Sequence, residues 1–216
     1  MWGVDVALEV GTRRVFATAL DWPGWCRSGK GAEAALAALA DAAPRYALVA
    51  AAAKIAFRPG LADDLTVVER LPGDGSTDFG APGQVAKRDR EPLTAAQARR
   101  RAALLQAAWV VFDRVVAAAP AELRKGPRGG GRDRDKIVEH VLGAESGYAR
   151  KLGLKFPAAT DLAGAVGPRE LIADALRGAS DGSPLAPRGW PPRYAAARVA
   201  WHALDHAWEI EDRAAG

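Results

Sequence analysis

The chain has a single cysteine, Cys26, in 216 residues, which excludes an internal disulfide and a thiolate-rich metal site. Its fold therefore has to hold by packing. It has no apolar run near the roughly 20 residues needed to cross a bilayer. The charge-free stretch Tyr46 to Ala53 is short and ends at Lys54, so no membrane partner is expected. The acids Asp5 and Glu9 precede the first arginines, Arg13 and Arg14. That order is the reverse of a secretory signal and points to a cytoplasmic protein. An excess of charge of one sign is also missing: the net charge is only +4. Basic residues alternate with acids, as in KRDR at 87–90 and GRDRDK at 131–136, which argues against a nucleic-acid partner. What the chain does have is 49% hydrophobic and 26% charged residues, enough for a buried core under an ordinary polar surface.

The residues divide into an α+β first part and an all-α second part. Val4, Val6, Leu8 and Val10 alternate with Asp5 and Glu9, predicting a half-buried strand with the two acids on its outer side. Gly11-Thr12 interrupts it. Residues 14–20 (RVFATAL) resume as the second arm of a hairpin, ended by Pro23-Gly24. After the polar link RSGKG, residues 32–43 are strong helix formers, and Pro44 ends or kinks that helix. More helix or a buried segment is expected over 45–57 and a strand over 65–71, giving three strands covered by helix. Trp22, Trp25 and Phe16 read as a small core at the sheet edge rather than a pocket. We place an α+β domain at 1–75 and a linker at 76–92, where turn residues dominate. A helical domain follows over 93–216. There, Thr94 with Gln97 forms a capping box for a helix over 95–119. Asp133 or Asp135 caps a second helix running to Gly153, a third fits 168–177 between Pro168 and Gly178, and a fourth spans about 193–213. Four helices with apolar stripes suggest a four-helix bundle; an irregular helical packing is the alternative.

Histidine is scarce too, and its placement is informative. The three histidines, His140, His202 and His206, all fall in predicted bundle helices. His202 and His206 are four residues apart, about 40° around the helix axis and about 6 Å along it, so both rings face one point. Neutral imidazole nitrogens suit zinc, nickel or ferrous iron, and His140 on a neighbouring helix offers the third ligand. Coincidence in a polar helix is the competing explanation. The residue after His202 is Ala203, so the HExxH signature of metalloproteases is absent. Asp205 and Glu209 are placed to accept a hydrogen bond from a ligand imidazole, or else to pair with Arg198 or Arg213. Glu145, five residues after His140, is a candidate base. Three protein ligands leave coordination positions open, as a catalytic metal requires. The basic link Arg124, Lys125, Arg128, Arg132 and Arg134 is either a solvated loop or a rim that attracts an anionic substrate.

IVEHVLGAESGYARKLG and VAWHALDHAWEIEDR make residues 93–216 resemble the DinB-like (DinB/YfiT-like) family of metalloenzymes. The resemblance implies a four-helix bundle holding a divalent ion, commonly nickel or zinc, on His140, His202 and His206. Members include thiol transferases that use a low-molecular-weight thiol as cosubstrate, and maleylpyruvate isomerases. The first 70 or so residues, through FATALDWPGWCRSGKGAEAALAALADAAPRY, resemble the HicB-like fold more weakly; no ribbon-helix-helix segment follows, which argues against a repressor. The expected function is a divalent-metal-dependent enzyme acting on a small-molecule substrate, of thiol-transferase or hydrolase type, with Glu145, Asp205 and Glu209 as its catalytic candidates. The alternative is a non-catalytic metal-binding sensor or protein-interaction module. A homodimer, and a protein partner held by the first domain, both stay open.

Overall fold

The computed structural model describes residues 3–126 and 130–214. Strand β1 (Val4–Val10) pairs antiparallel with β2 (Val15–Ala19), with Val6 opposite Ala19 and Val10 opposite Val15. A third strand, β3 (Cys26–Gly29), extends the sheet beyond β2. The chain then forms α1 (Ala32–Asp41) and α2 (Ala43–Ala52) and returns as β4 (Leu65–Pro72), parallel to β1. The sheet thus has four strands in the order β3-β2-β1-β4, one more than expected. The added strand lies in the stretch read as a polar link. It forms because β2 has an open edge and Gly29 lets α1 sit directly on it: a Cβ there would lie 2.5 Å from the backbone of Ala34.

Pro44 sits in the first turn of α2, where a missing N–H costs no helix hydrogen bond, and the chain bends by 49° between α1 and α2. The two helices cover one face of the sheet, packing Leu39, Tyr46 and Val49 with Val6, Leu8, Val15 and Ala17. Trp25 is fully buried in this layer. Its Nε1 donates to the Leu39 carbonyl at 2.8 Å and its ring stacks on Tyr46. Phe16 instead faces the other side and meets Trp201 edge-on at 5.9 Å, so the three aromatics of this region line no common pocket.

That second face carries a correction. Glu9 was expected on the solvent side of β1 and is only 5% exposed. The short helix α3 (Gly75–Phe79) and the 3-10 turn at Lys87–Arg90 belong to a segment that crosses the outer face and closes over it. Its carboxylate accepts from the Thr77 hydroxyl at 2.5 Å and from the Gly83 and Gln84 N–H groups at 2.9 Å each. Alternation correctly put Glu9 opposite Leu8; it could not reveal that the opposite face is also covered.

The second part is a bundle of α4 (Ala95–Ala118), α5 (Arg134–Arg150), α6 (Val166–Leu176) and α7 (Pro192–Ala214). Helix α4 starts at the expected capping box, Thr94 Oγ1 accepting from Gln97 N–H at 3.3 Å and Thr94 N–H donating to Gln97 Oε1 at 2.9 Å. Leu105 and Phe112 of α4, Ala200 and Leu204 of α7, and Tyr46 and Val49 of α2 belong to one continuous core, so the α+β part and the bundle are joined by apolar packing. Gly24 is one point of close approach between them. At φ 90 it turns the chain against α7, where a Cβ would lie 2.7 Å from Leu204 Cδ1. Among the described residues, no single helix is long and apolar enough to cross a membrane.

Candidate metal centre

Helix α7 presents His202 and His206 one turn apart on the side facing α5, and α5 brings His140 against them. The three rings lie 4.8 to 5.1 Å apart by centroid. One nitrogen from each can be chosen so that no two are more than 4.8 Å apart. His140 Nε2 and His202 Nε2 are separated by 3.2 Å. Two nitrogens each about 2.05 Å from a tetrahedral zinc would be about 3.3 Å apart, so this pair is already at chelate distance. The donor set fits a borderline divalent ion.

The protonation states also suit a ligand role. Burial holds His202 well below its ordinary value, with His206 and then Arg198 adding to the effect. Burial also lowers His140, again with His206 next in importance. Both are neutral at pH 7 and carry a free lone pair. His206 is oriented by Glu209, half-buried one turn further on, whose Oε2 accepts from His206 Nδ1–H at 2.8 Å. An ionised carboxylate only accepts, so Nδ1 carries a proton, which leaves Nε2 as the atom able to offer a lone pair to a metal. That bond, supported by Arg213 at 2.8 Å from Oε1, holds Glu209 below the usual carboxylate range. His202 lacks such an orienting bond, since its Nδ1 is buried without a partner. Packing holds it instead, with Tyr148 edge-on at 5.5 Å and Trp201 tilted at 6.0 Å.

The other candidates stand in ion pairs. Asp205 meets Arg27 of β3 at 3.1 Å. Glu145 is buried beneath Arg169 of α6, which donates to it from Nε and Nη2 at 3.0 to 3.1 Å and to Asp113 from Nη1 at 2.9 Å. Of the two arginines proposed as partners for Asp205 and Glu209, Arg213 is used and Arg198 is not. Beside His140 runs an exposed groove that it lines together with Arg132, Lys136, Glu139, Gly143 and Ala144. Of the basic link, Arg132 therefore reaches this groove. Arg124 and Lys125 line a separate groove with Glu209 and Arg213, Arg134 is tied to Asp135, and Arg128 lies outside the described residues.

Sequence reasoning missed the surroundings of His202: Tyr148, Trp201 and the contact of Arg198 with both. Arg198 sits four residues before His202, so helical spacing alone would have placed it on the same face. Compared with known protein families, curated proteins and solved structures, the chain finds no match.

Proposed function

We propose that the chain is a divalent-metal-dependent enzyme of the DinB-like kind, acting on a small molecule by thiol transfer or hydrolysis, with the ion on His140, His202 and His206. The observation that carries this reading is the convergence of the only three histidines, one pair of them already at 3.2 Å. Zinc or nickel is the ion that the donor set and the resemblance favour. When bound, such an ion supplies Lewis acidity and lowers the pKa of a coordinated thiol or water. The protein's own part is to fix that position. Glu209 holds the His206 tautomer, Tyr148 and Trp201 restrain His202, and the groove beside His140 admits the substrate.

The sensor reading keeps one observation in its favour. Glu145, Asp205 and Glu209 are all paired with arginines, which leaves none of these three carboxylates free as a base. Cobalt substitution separates the two. The full chain should bind one Co(II), lose it in His140→Ala, His202→Ala and His206→Ala while remaining helical by circular dichroism, and develop a near-ultraviolet sulfur-to-cobalt band when a small thiol such as 2-mercaptoethanol is added. Metal retained by His140→Ala with wild-type affinity would reject the shared site. A bound cobalt whose spectrum ignores added thiol would leave a closed metal module and overturn the thiol-transfer assignment.

A further inference from the structure

On the other flank of α7 lies a second cavity, between that helix and the covered face of the sheet, with no histidine in its lining. Its enclosed part is small, about 40 Å³, and opens outward, and its walls are largely apolar, with Leu20, Leu71, Ala86 and Ala197 among them. Arg198 is the only cation in the lining. Its guanidinium is fixed in place, 4.4 Å from the ring of Trp201 and 5.4 Å from that of Tyr148. Among the described residues no carboxylate lies within 4 Å of it, and its Nη1 is buried with no acceptor. Trp201, only 4% exposed and also in the lining, leaves its indole N–H unpartnered as well.

We propose that this cavity is a binding site for a small carboxylate with a short apolar chain, the carboxylate held by Arg198. A buried guanidinium hydrogen without an acceptor is costly, and a planar two-oxygen anion is the group that best matches its fork. Two acids share the lining, and neither answers Arg198. Glu9 already receives the Thr77 hydroxyl and the Gly83 and Gln84 N–H groups. Asp89 accepts from Ala86 N–H, and the arginines acting on it are Arg101 and Arg193. The apolar walls then suit a chain of a few carbons rather than a second charge. Because Arg198 and Trp201 also border His202, they form the partition between this cavity and the histidine cluster.

Butyrate and its neutral counterpart butyramide are the probes, titrated into the full chain in the presence of a chelator so that no ion competes for the carboxylate. The readout is the indole N–H signal of Trp201 in a nitrogen-15 correlation spectrum, picked out from the seven tryptophans by Trp201→Phe. Butyrate should shift that signal saturably, and butyramide should bind roughly tenfold more weakly or worse, the usual difference between a charged and a neutral hydrogen bond. Arg198→Lys should weaken butyrate by a similar factor, and Ala197→Trp, which fills the cavity and leaves Arg198 in place, should abolish binding. No saturable shift with butyrate, equal binding of butyramide, or undiminished binding by either cavity variant would overturn the proposal.

Discussion

Removing Arg169 should be among the most destabilising single changes in the bundle, and the cost should depend on pH. The side chain is 8% exposed and Glu145 beneath it 5%, whereas Asp113, its other partner, is 39% exposed. In Arg169→Met the long apolar stem is kept and the guanidinium lost, so Glu145 stays buried with no counter-charge. Breaking a buried pair in this way costs about 3–5 kcal/mol, a large share of the roughly 5–15 kcal/mol that hold a domain together. At about 2–4 °C per kcal/mol for a chain of this size, the melting temperature should fall by roughly 6–20 °C. Burial already pushes the Glu145 carboxyl up, and Arg169 pulls it back. Without Arg169 the folded carboxyl titrates higher still. The native state then binds a proton that the unfolded chain has released, so the penalty is small below the unfolded value near pH 4 and grows as pH rises through the folded one. The double variant Arg169→Met with Glu145→Leu should recover most of the loss, because Asp113 can stay hydrated at the surface. Urea unfolding of the wild type and the two variants at pH 4.5 and 7.5 gives the comparison. A single-variant cost below about 1 kcal/mol at pH 7.5, or a double variant no better than the single, would refute the reasoning.

Two other perturbations are as direct. Asp89 is 7% exposed and burial pushes its carboxyl up to about 6, so its contribution is present below the unfolded value and is lost as pH rises through 6, by roughly 3 kcal/mol in all. Asp89→Asn cannot ionise, and a plot of its stability minus that of the wild type should rise between pH 4 and 7; parallel curves would show that the carboxylate is not buried as described. Gly143 lies inside α5 beside His140 and a Cβ there would meet nothing within 4 Å, so Gly143→Ala should stabilise by about 0.8–1 kcal/mol through helix propensity alone, and a loss of stability in thermal unfolding would refute the open space at that position.

What the sequence made legible is set by periodicity. A period of two placed β1, runs of strand-forming residues between turns placed β2 and β4, and the 3.6-residue period placed the long helices and put His202 and His206 on one face. The Glu209 to His206 contact follows from the same spacing, three residues along one helix. β3 had no such signal: CRSG contains no alternation, and that strand exists because β2 offers an edge and Gly29 admits α1. Pairings across elements were equally hidden. Glu145 is held by Arg169 24 residues away and Asp205 by Arg27 178 residues away, and no local pattern says which of thirty basic side chains will arrive. Glu9 makes the same point from the other direction, since the face it occupies was identified correctly and the chain that covers that face was not. Period therefore fixes which residues share a surface, while packing between elements decides what that surface meets. The histidine cluster was readable because two of its members share one helix face and scarcity left a single choice for the third. Asp205 and Glu145 were not, because each had several partners within reach of its face and the one it met was chosen by the docking of β3 and α6.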